Sequence, residues 1–398
     1  MPPNDDHPGA RIAYHRKRAG LTQRALAGRI PYSYSLLTQV ESGHKPASPD
    51  LVATVARTLA VDVTALTGQP YVTELQQDRL AELIRPIREA LDLYDLGADP
   101  EVTPRPVPQL LSAAAHLCVQ VRATRLHDAA LHLPEVIAAI TTAAHRTGSS
   151  ELWAALASTY RTAHDISVKL GFYDLSTVAL DRMDWAAARA SDPVLGAVRQ
   201  YMRALVYFRE GEYTIGKRLI SSGHGLLDQA APSRERNAVT GQLHLGACII
   251  AARARDSGSV DTHLAEAHAH AERVGEAVDV HWLSFGPANV AAHAVSAAIE
   301  MREYGRALAY ASEVEFPEDW PVSRTAHLHI DRARAQMETG RSEAAMASIV
   351  QARRLAPQQT RYHPGARETI RGLVHQARRT PDTLDHLAAW ITSRIHIP

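Results

Sequence analysis

Within residues 9–60, eight basic side chains (Arg11, Arg16, Lys17, Arg18, Arg24, Arg29, Lys45 and Arg57) stand against only two acidic ones, Glu41 and Asp50, a local balance of +6. The remaining 35 basic and 41 acidic residues carry −6, so a formal net charge of zero conceals a small basic module joined to a larger acidic body. Clustered guanidinium and ammonium groups attract phosphates, and this distribution suits a phosphate-binding head with a separate task behind it. A merely solvated basic face has the same composition, so the positions of these residues must decide.

Two further groups of chemistry-bearing residues lie in the body. HLAEAHAHAE at 263–272 puts His263 and His270 seven residues apart on one helix face with Glu266 between them, a spacing that could offer metal ligands. Neither HExxH nor CxxC accompanies them, and histidine is frequent throughout at 21 residues, so no metal and no cofactor is expected. Further on, Phe285-Gly286-Pro287 makes a constrained turn, and Asn289 and His293 follow at i,i+4 on one helix face. An asparagine amide can bond both the N–H and the C=O of a peptide backbone. The chain has three asparagines, Asn4, Asn237 and Asn289, so the two in the body stand out. Asn237, Phe285, Asn289 and His293 are therefore the candidate ligand-binding residues. The competing reading is structural: Asn289 bridges helices and His293 is a satisfied packing residue. Trp153, Tyr207 and Trp282 could line a groove, although aromatics at helical spacing are usually core. No phosphate-binding loop, nucleophile elbow or recognisable carboxylate pair occurs, and no enzyme activity is expected.

The elements that must position these residues are helices. At 398 residues, 45% hydrophobic and 22% charged, the chain is expected to be globular with two or three domains. Nearly every segment has a 3.6-residue apolar period and none reads as a strand, so the expected class is all-α. No apolar run approaches the ~18 residues of a membrane span, and the N-terminus lacks a signal-like apolar stretch. Cys118 and Cys248, far apart in Ala- and Leu-rich stretches, read as free thiols in a reducing cytosol. A cytoplasmic protein without membrane association is expected.

In the first 68 residues, Gly20 caps a first helix and Thr22 N-caps a second, QRALAGRI, which Pro31 stops. Ser33 N-caps a third, YSLLTQVESG, ended by Gly43, and LVATVARTLAV and VTALTG supply two more. The first boundary falls at 67–73, TGQPYVT. A helix over about 74–96, interrupted by Pro86, leads to the four-proline connector GADPEVTPRPVP at 97–108. Beyond it, turns are expected near Gly171, Gly211, Ser257-Gly258, Gly305 and Gly340, at intervals of 35–47 residues that suggest stacked helix pairs. The expected division is 9–68 head, 69–107 linker helix and connector, and 108–398 helical repeats.

LTQRALAGRIPYSYSLLTQVESGHKPASPDLVATVARTLAVDVTAL resembles the phage-repressor (Cro/C1, xenobiotic-response-element, XRE) family of helix-turn-helix domains. That resemblance implies a sequence-specific regulator whose third helix lies in the major groove of double-stranded operator DNA. Matching motif positions are Tyr34, Ser35 and Gln39 toward the bases, with Ser33 and Thr38 beside them. Gln39 is the expected base reader, since its amide suits adenine. Gln23 is expected on a phosphate, with Arg24, Ser42 and Lys45 as further phosphate contacts. Arg16 and Glu41 fall where relatives form a supporting salt bridge. Leu21, Leu26, Leu37, Val40, Leu51, Val55 and Leu59 read as core.

The body resembles a degenerate tetratricopeptide-like (TPR) α-solenoid, since spacing varies and the full Trp–Leu–Gly–Tyr pattern never appears. Such a head on such a body resembles peptide-sensing regulators of Gram-positive bacteria and Ala/Arg-rich actinobacterial regulators. In the latter a segment like FGPANVAAHAVSAAIE (285–300) recurs. The resemblance implies a homodimer responding to a peptide or small-molecule effector, with asparagines on the peptide backbone. The alternative is a DNA-tethered protein–protein interaction scaffold with no small ligand.

Overall fold

The computed structural model describes residues 7–67, 74–377 and 381–392. Asn4 and nearly all of the 67–73 boundary thus lie outside the described residues. The fold is all-α, as expected, with an N-terminal helix-turn-helix domain followed by a helical-repeat region. In the head, α1 (Pro8–Arg18), α2 (Gln23–Ala27), α3 (Tyr34–Glu41), α4 (Pro49–Thr58) and α5 (Val63–Thr67) enclose a small core. Leu26, Leu37, Val40, Leu51 and Val55 are buried in it with Ile12 and Leu66, while Leu21 and Leu59 pack at its edge. Capping sets the register. The Thr22, Ser33 and Ser48 hydroxyls accept from the backbone N–H groups of Ala25, Leu36 and Leu51, satisfying donors that a helix N-terminus leaves open. α2 ends at Gly28, one turn before Pro31, so proline is not what stops it.

After the head come α6 (Glu74–Asp92), which carries Pro86 inside it, α7 (Val107–Arg122) and α8 (Leu126–Thr147). Then come the pairs α9 (Ser150–Leu170) with α10 (Tyr173–Ala190), α11 (Pro193–Glu210) with α12 (Tyr213–Leu227), and α13 (Arg234–Arg253) with α14 (Ser257–Val274). Two more follow, α15 (Pro287–Glu300) with α16 (Tyr304–Glu313) and α17 (Val322–Glu338) with α18 (Ser342–Leu355). The chain closes with α19 (Pro357–Tyr362), α20 (Pro364–Gln376) and α21 (Asp382–Thr392).

One backbone device joins the partners of each pair: a single residue in left-handed conformation. Gly171, Gly211 and Gly340 hold it at φ 88°, 76° and 77°, as their spacing suggested. The other two turns fall near the expected places but are not made by glycine. Arg255 (φ 59°) and Arg302 (φ 64°) make them, and Gly258 and Gly305 lie inside the first turns of α14 and α16. A non-glycine residue there costs about 1–2 kcal/mol, which stacking of the pair outweighs. No glycine was required at those turns.

The repeats wind far enough for the ends to meet. α7 touches α17 and α9 touches α19. Lys169 of α9 donates to Gln359 of α19 at 2.7 Å, and Gln359 in turn donates to the Ser323 carbonyl. The main core runs from Ile84 through α7–α13 to Leu283, and a separate cluster packs α17, α18, α20 and α21.

Candidate functional site

The third helix of the head offers an open polar face. Ser33, Tyr34, Ser35, Gln39 and Ser42 are exposed, Tyr34 by 45%, whereas Leu37 and Val40 on the opposite face are buried. Local bonds pre-set several of these side chains. Gln39 Nε2 donates to Ser35 Oγ at 3.2 Å, Thr38 Oγ1 to the Tyr34 carbonyl, and Ser42 Oγ to the Thr38 carbonyl. The Arg24 guanidinium lies 5.6 Å from the Tyr34 ring centroid, bringing a cation from α2 to the start of α3. Lys45 is exposed just beyond α3. Ser33, Tyr34, Ser35 and Gln39 thus lie open at the start of α3 beside Arg24, with Ser33 also serving as the α3 cap, whereas Lys45 lies toward the body.

Beneath that face, Arg16 and Glu41 form a two-pronged ion pair, Nε to Oε1 at 2.6 Å and Nη2 to Oε2 at 2.8 Å, almost wholly buried. The Glu41 bond holds the Arg16 guanidinium's pKa above its ordinary value. Arg16 also donates to the Leu21 carbonyl, and Gln23 Nε2 donates to Glu41 Oε2 at 2.8 Å. One arginine therefore ties α1 to α3 and to the start of the α2 turn. Gln23, the expected phosphate contact, has one amide hydrogen on Glu41 and a second left to donate.

A different side of the head rests on the body. Asp50 of α4 accepts from Tyr213 of α12 at 2.8 Å and from Tyr32 of the head. Arg302 lies 5.4 Å from the Tyr32 ring and donates to Ser48, and Arg57 pairs with Glu212 at 3.7 Å. Burial and the Asp50 carboxylate push the Tyr32 phenol up to about 12 and also raise Tyr213. A second seam brings His7, Gly43, Lys45 and Pro46 against Glu368, Arg371 and His375 of α20. Asp50, Tyr213 and Arg302 carried no sequence signal, because nothing local marks two surfaces that meet only after folding.

Where the body's ends meet, Arg161 pairs with Asp165 at 3.7 Å, Arg122 and Lys169 also interact with that carboxylate, and Arg324 lies close enough to repel them both. Arg122 and Arg161 both donate to the Trp282 carbonyl. Burial, followed by repulsion from Arg324 and Arg161, lowers Arg122 to about 10, and burial lowers Lys169 to about 8. These cations come from α7, α9 and α17, too far apart in the chain for any motif to have joined them.

The expected ligand residues lie deeper than an open groove would need. Phe285 and Asn289 have no exposed surface. The Phe285 ring packs on Gly241, where an added Cβ would come within 2.0 Å of Cζ. Asn289 donates to Gln242 at 3.0 Å and Gln242 donates to the Tyr201 hydroxyl, a buried chain linking α15, α13 and α11. The bridging role is therefore what these contacts describe, although Asn289 Oδ1 is buried with no partner. His293 Nδ1 lies 2.8 Å from the Asn289 carbonyl, and burial lowers its imidazole to about 3. Asn237 is half-buried on α13, the helix that also carries Gln242. Trp153 is buried, while Tyr207 and Trp282 are half-buried.

A family model for the helix-turn-helix domain matches residues 9–67. The propionyl-CoA carboxylase regulator of Cereibacter sphaeroides is 36% identical over 72 residues, which is 17% of this chain and 16% of that protein. The likeness therefore spans about a sixth of the relative's length. No solved structure matches the chain. Residues 9–67 form a helix-turn-helix domain, and among the described residues no helix is long and apolar enough to cross a membrane.

Proposed function

We propose that the chain is a cytoplasmic, sequence-specific DNA-binding transcriptional regulator of the XRE type, with a head at 9–68, a linker at 69–107 and a TPR-like body at 108–398. The observation that carries this reading is the open face of α3 (Tyr34, Ser35 and Gln39 exposed) above the buried Arg16–Glu41 brace. Such a helix presents its N-terminal side chains to base edges in the major groove while flanking cations meet phosphates. The matched family and the name of the similar regulator point the same way. Gln39 is assigned as base reader, with Tyr34, Ser35, Ser33 and Thr38 beside it, and Gln23, Arg24, Ser42 and Lys45 as phosphate contacts. A homodimer would give the two-headed reading that one small domain cannot supply alone.

The test is fluorescence anisotropy of the full chain on DNA from upstream of its own gene, across a salt series. Specific binding should exceed binding to scrambled DNA and fall steeply with salt. Gln39→Ala should cost about 1–3 kcal/mol at one base pair and relax preference there, whereas Gln23→Ala should weaken all sequences alike. Equal affinity for scrambled and native DNA would sink the reading.

The body is assigned the sensing of a peptide or small molecule. The cluster of Arg122, Arg161, Lys169 and Arg324 with a single carboxylate, Asp165, favours a signal bearing a negative charge, and the head's seat on Tyr213, Arg302 and α20 gives a route from body to head. Ligand-driven change requires different affinity for two arrangements of that seat. Tyr213→Phe removes one hydrogen bond of the seat, worth about 1.5–3 kcal/mol because the acceptor is a carboxylate. The expected result is faster trypsin cleavage within residues 67–80 with unchanged far-UV circular dichroism; an unchanged cleavage rate would exclude a role for this contact.

A further inference from the structure

We propose that His244, Glu266 and His270 form a binding site for one divalent transition-metal ion of the zinc class, with His263 and His224 at its edge. Their ligand atoms lie within 4.8 Å of one another. A tetrahedral ion with bonds of ~2.0–2.1 Å holds its donors ~3.4 Å apart. Glu266 is exposed and can turn toward the two imidazoles, and the remaining closure falls to the half-buried rings of His244 and His270.

Three helices build the cluster. Along α14, His263, Glu266 and His270 fall at i, i+3 and i+7 on one face. That face meets His244 of α13, whose Nδ1 lies 3.1 Å from His263 Nδ1. Two ring nitrogens so close share one proton at most, and their lone pairs repel without a proton or cation between them. The His244 ring is also 4.8 Å from that of His224 on α12 and stacks at 6.0 Å on that of His270. His270 Nδ1 is buried with no hydrogen-bond partner, a donor or acceptor position that the protein leaves unfilled.

The chemistry of the set selects the ion. Two imidazoles and one carboxylate suit zinc and its borderline neighbours, and a three-residue set leaves a position for His263 or water. Calcium and magnesium demand oxygen-rich shells that this cluster lacks. Burial lowers all four histidines, His244 to about 4, and mutual repulsion adds to the effect at His224 and His244. Neutral imidazole is the form that binds metal. The surrounding charges are mixed: Lys217 and Arg273 oppose a cation, while Asp256 and Asp228 favour one.

The proposal stands apart from the DNA-binding reading and is tested on the full chain, stripped with chelator and desalted. Titration with zinc chloride, followed by gel filtration and elemental analysis, should leave one equivalent per chain. Cobalt(II) in its place should give visible d–d absorption. Glu266→Ala, at an exposed position, should keep the fold and weaken zinc by more than the roughly 10–100-fold that loss of an outer-shell partner costs. The double variant His244→Ala, His270→Ala should retain no zinc and no d–d bands. The proposal is overturned if the unmodified chain retains no zinc. It is overturned equally if Glu266→Ala keeps full affinity and an unchanged cobalt spectrum, because the metal would then sit among other histidines.

Discussion

Replacing Glu41 with alanine should destabilise the head by about 3–5 kcal/mol, the usual consequence of stripping one partner from a buried ion pair. The guanidinium of Arg16 would keep a single carbonyl partner, that of Leu21, inside a site almost closed to solvent. Gln23 would lose its acceptor in the same stroke. For a domain of this size, several kcal/mol is most of the total stability, so specific DNA binding should vanish at 37 °C, with loss of the head's transition in a thermal melt. The double change Arg16→Met, Glu41→Leu should recover much of that stability, since two apolar groups leave no orphaned charge. It should not recover the DNA affinity, because Gln23 stays unanchored. Equal stability of the single and double variants would refute the account of the brace.

Phe285→Ala is expected to cost about 3–5 kcal/mol in the body. The ring is fully buried among Ala238, Leu245, Ala267, Ala271 and Val290, and its own carbonyl accepts from the Ala277 N–H at 2.8 Å. A residue kept only to contact a ligand would leave the ligand-free melting temperature unchanged, so calorimetry of the free protein separates the two roles. The converse change, Gly241→Ala, drives a methyl into the same ring and should cost about 1–3 kcal/mol. The two substitutions share one space, so their effects should fail to add, and the double variant should be more stable than the sum of the single losses implies.

Much of the head was legible because its information is local. Thr22 and Ser33 announce helix starts by side-chain chemistry, Gly20 and Gly43 announce ends by backbone freedom, and the apolar period picks out Leu26, Leu37 and Val40. The turn at Gly340 between α17 and α18 was legible for the same reason. Two turns show the limit: they fall near Gly258 and Gly305 as expected, yet Arg255 and Arg302 take the left-handed conformation, because packing of a pair can impose what composition disfavours. Asn289 was singled out by scarcity, and scarcity says nothing about which way a side chain faces. The Asp50–Tyr213 contact, the cations around Asp165, and the approach of His224 and His244 to His270 are products of how distant helices stack. No spacing rule reaches across those separations.

Because α9 is tied to α19 through Lys169 and Gln359, the body behaves less like a spring than like a hoop. An open stack of repeats can be trimmed from its end, each loss confined to one neighbour. A hoop has no end to trim. Removing the final three helices would unroof the first repeats as well, so truncation from the C-terminus should fail all at once. By the same geometry, a wedge inserted anywhere on the circumference must be accommodated by the whole, including the arc on which the head is seated.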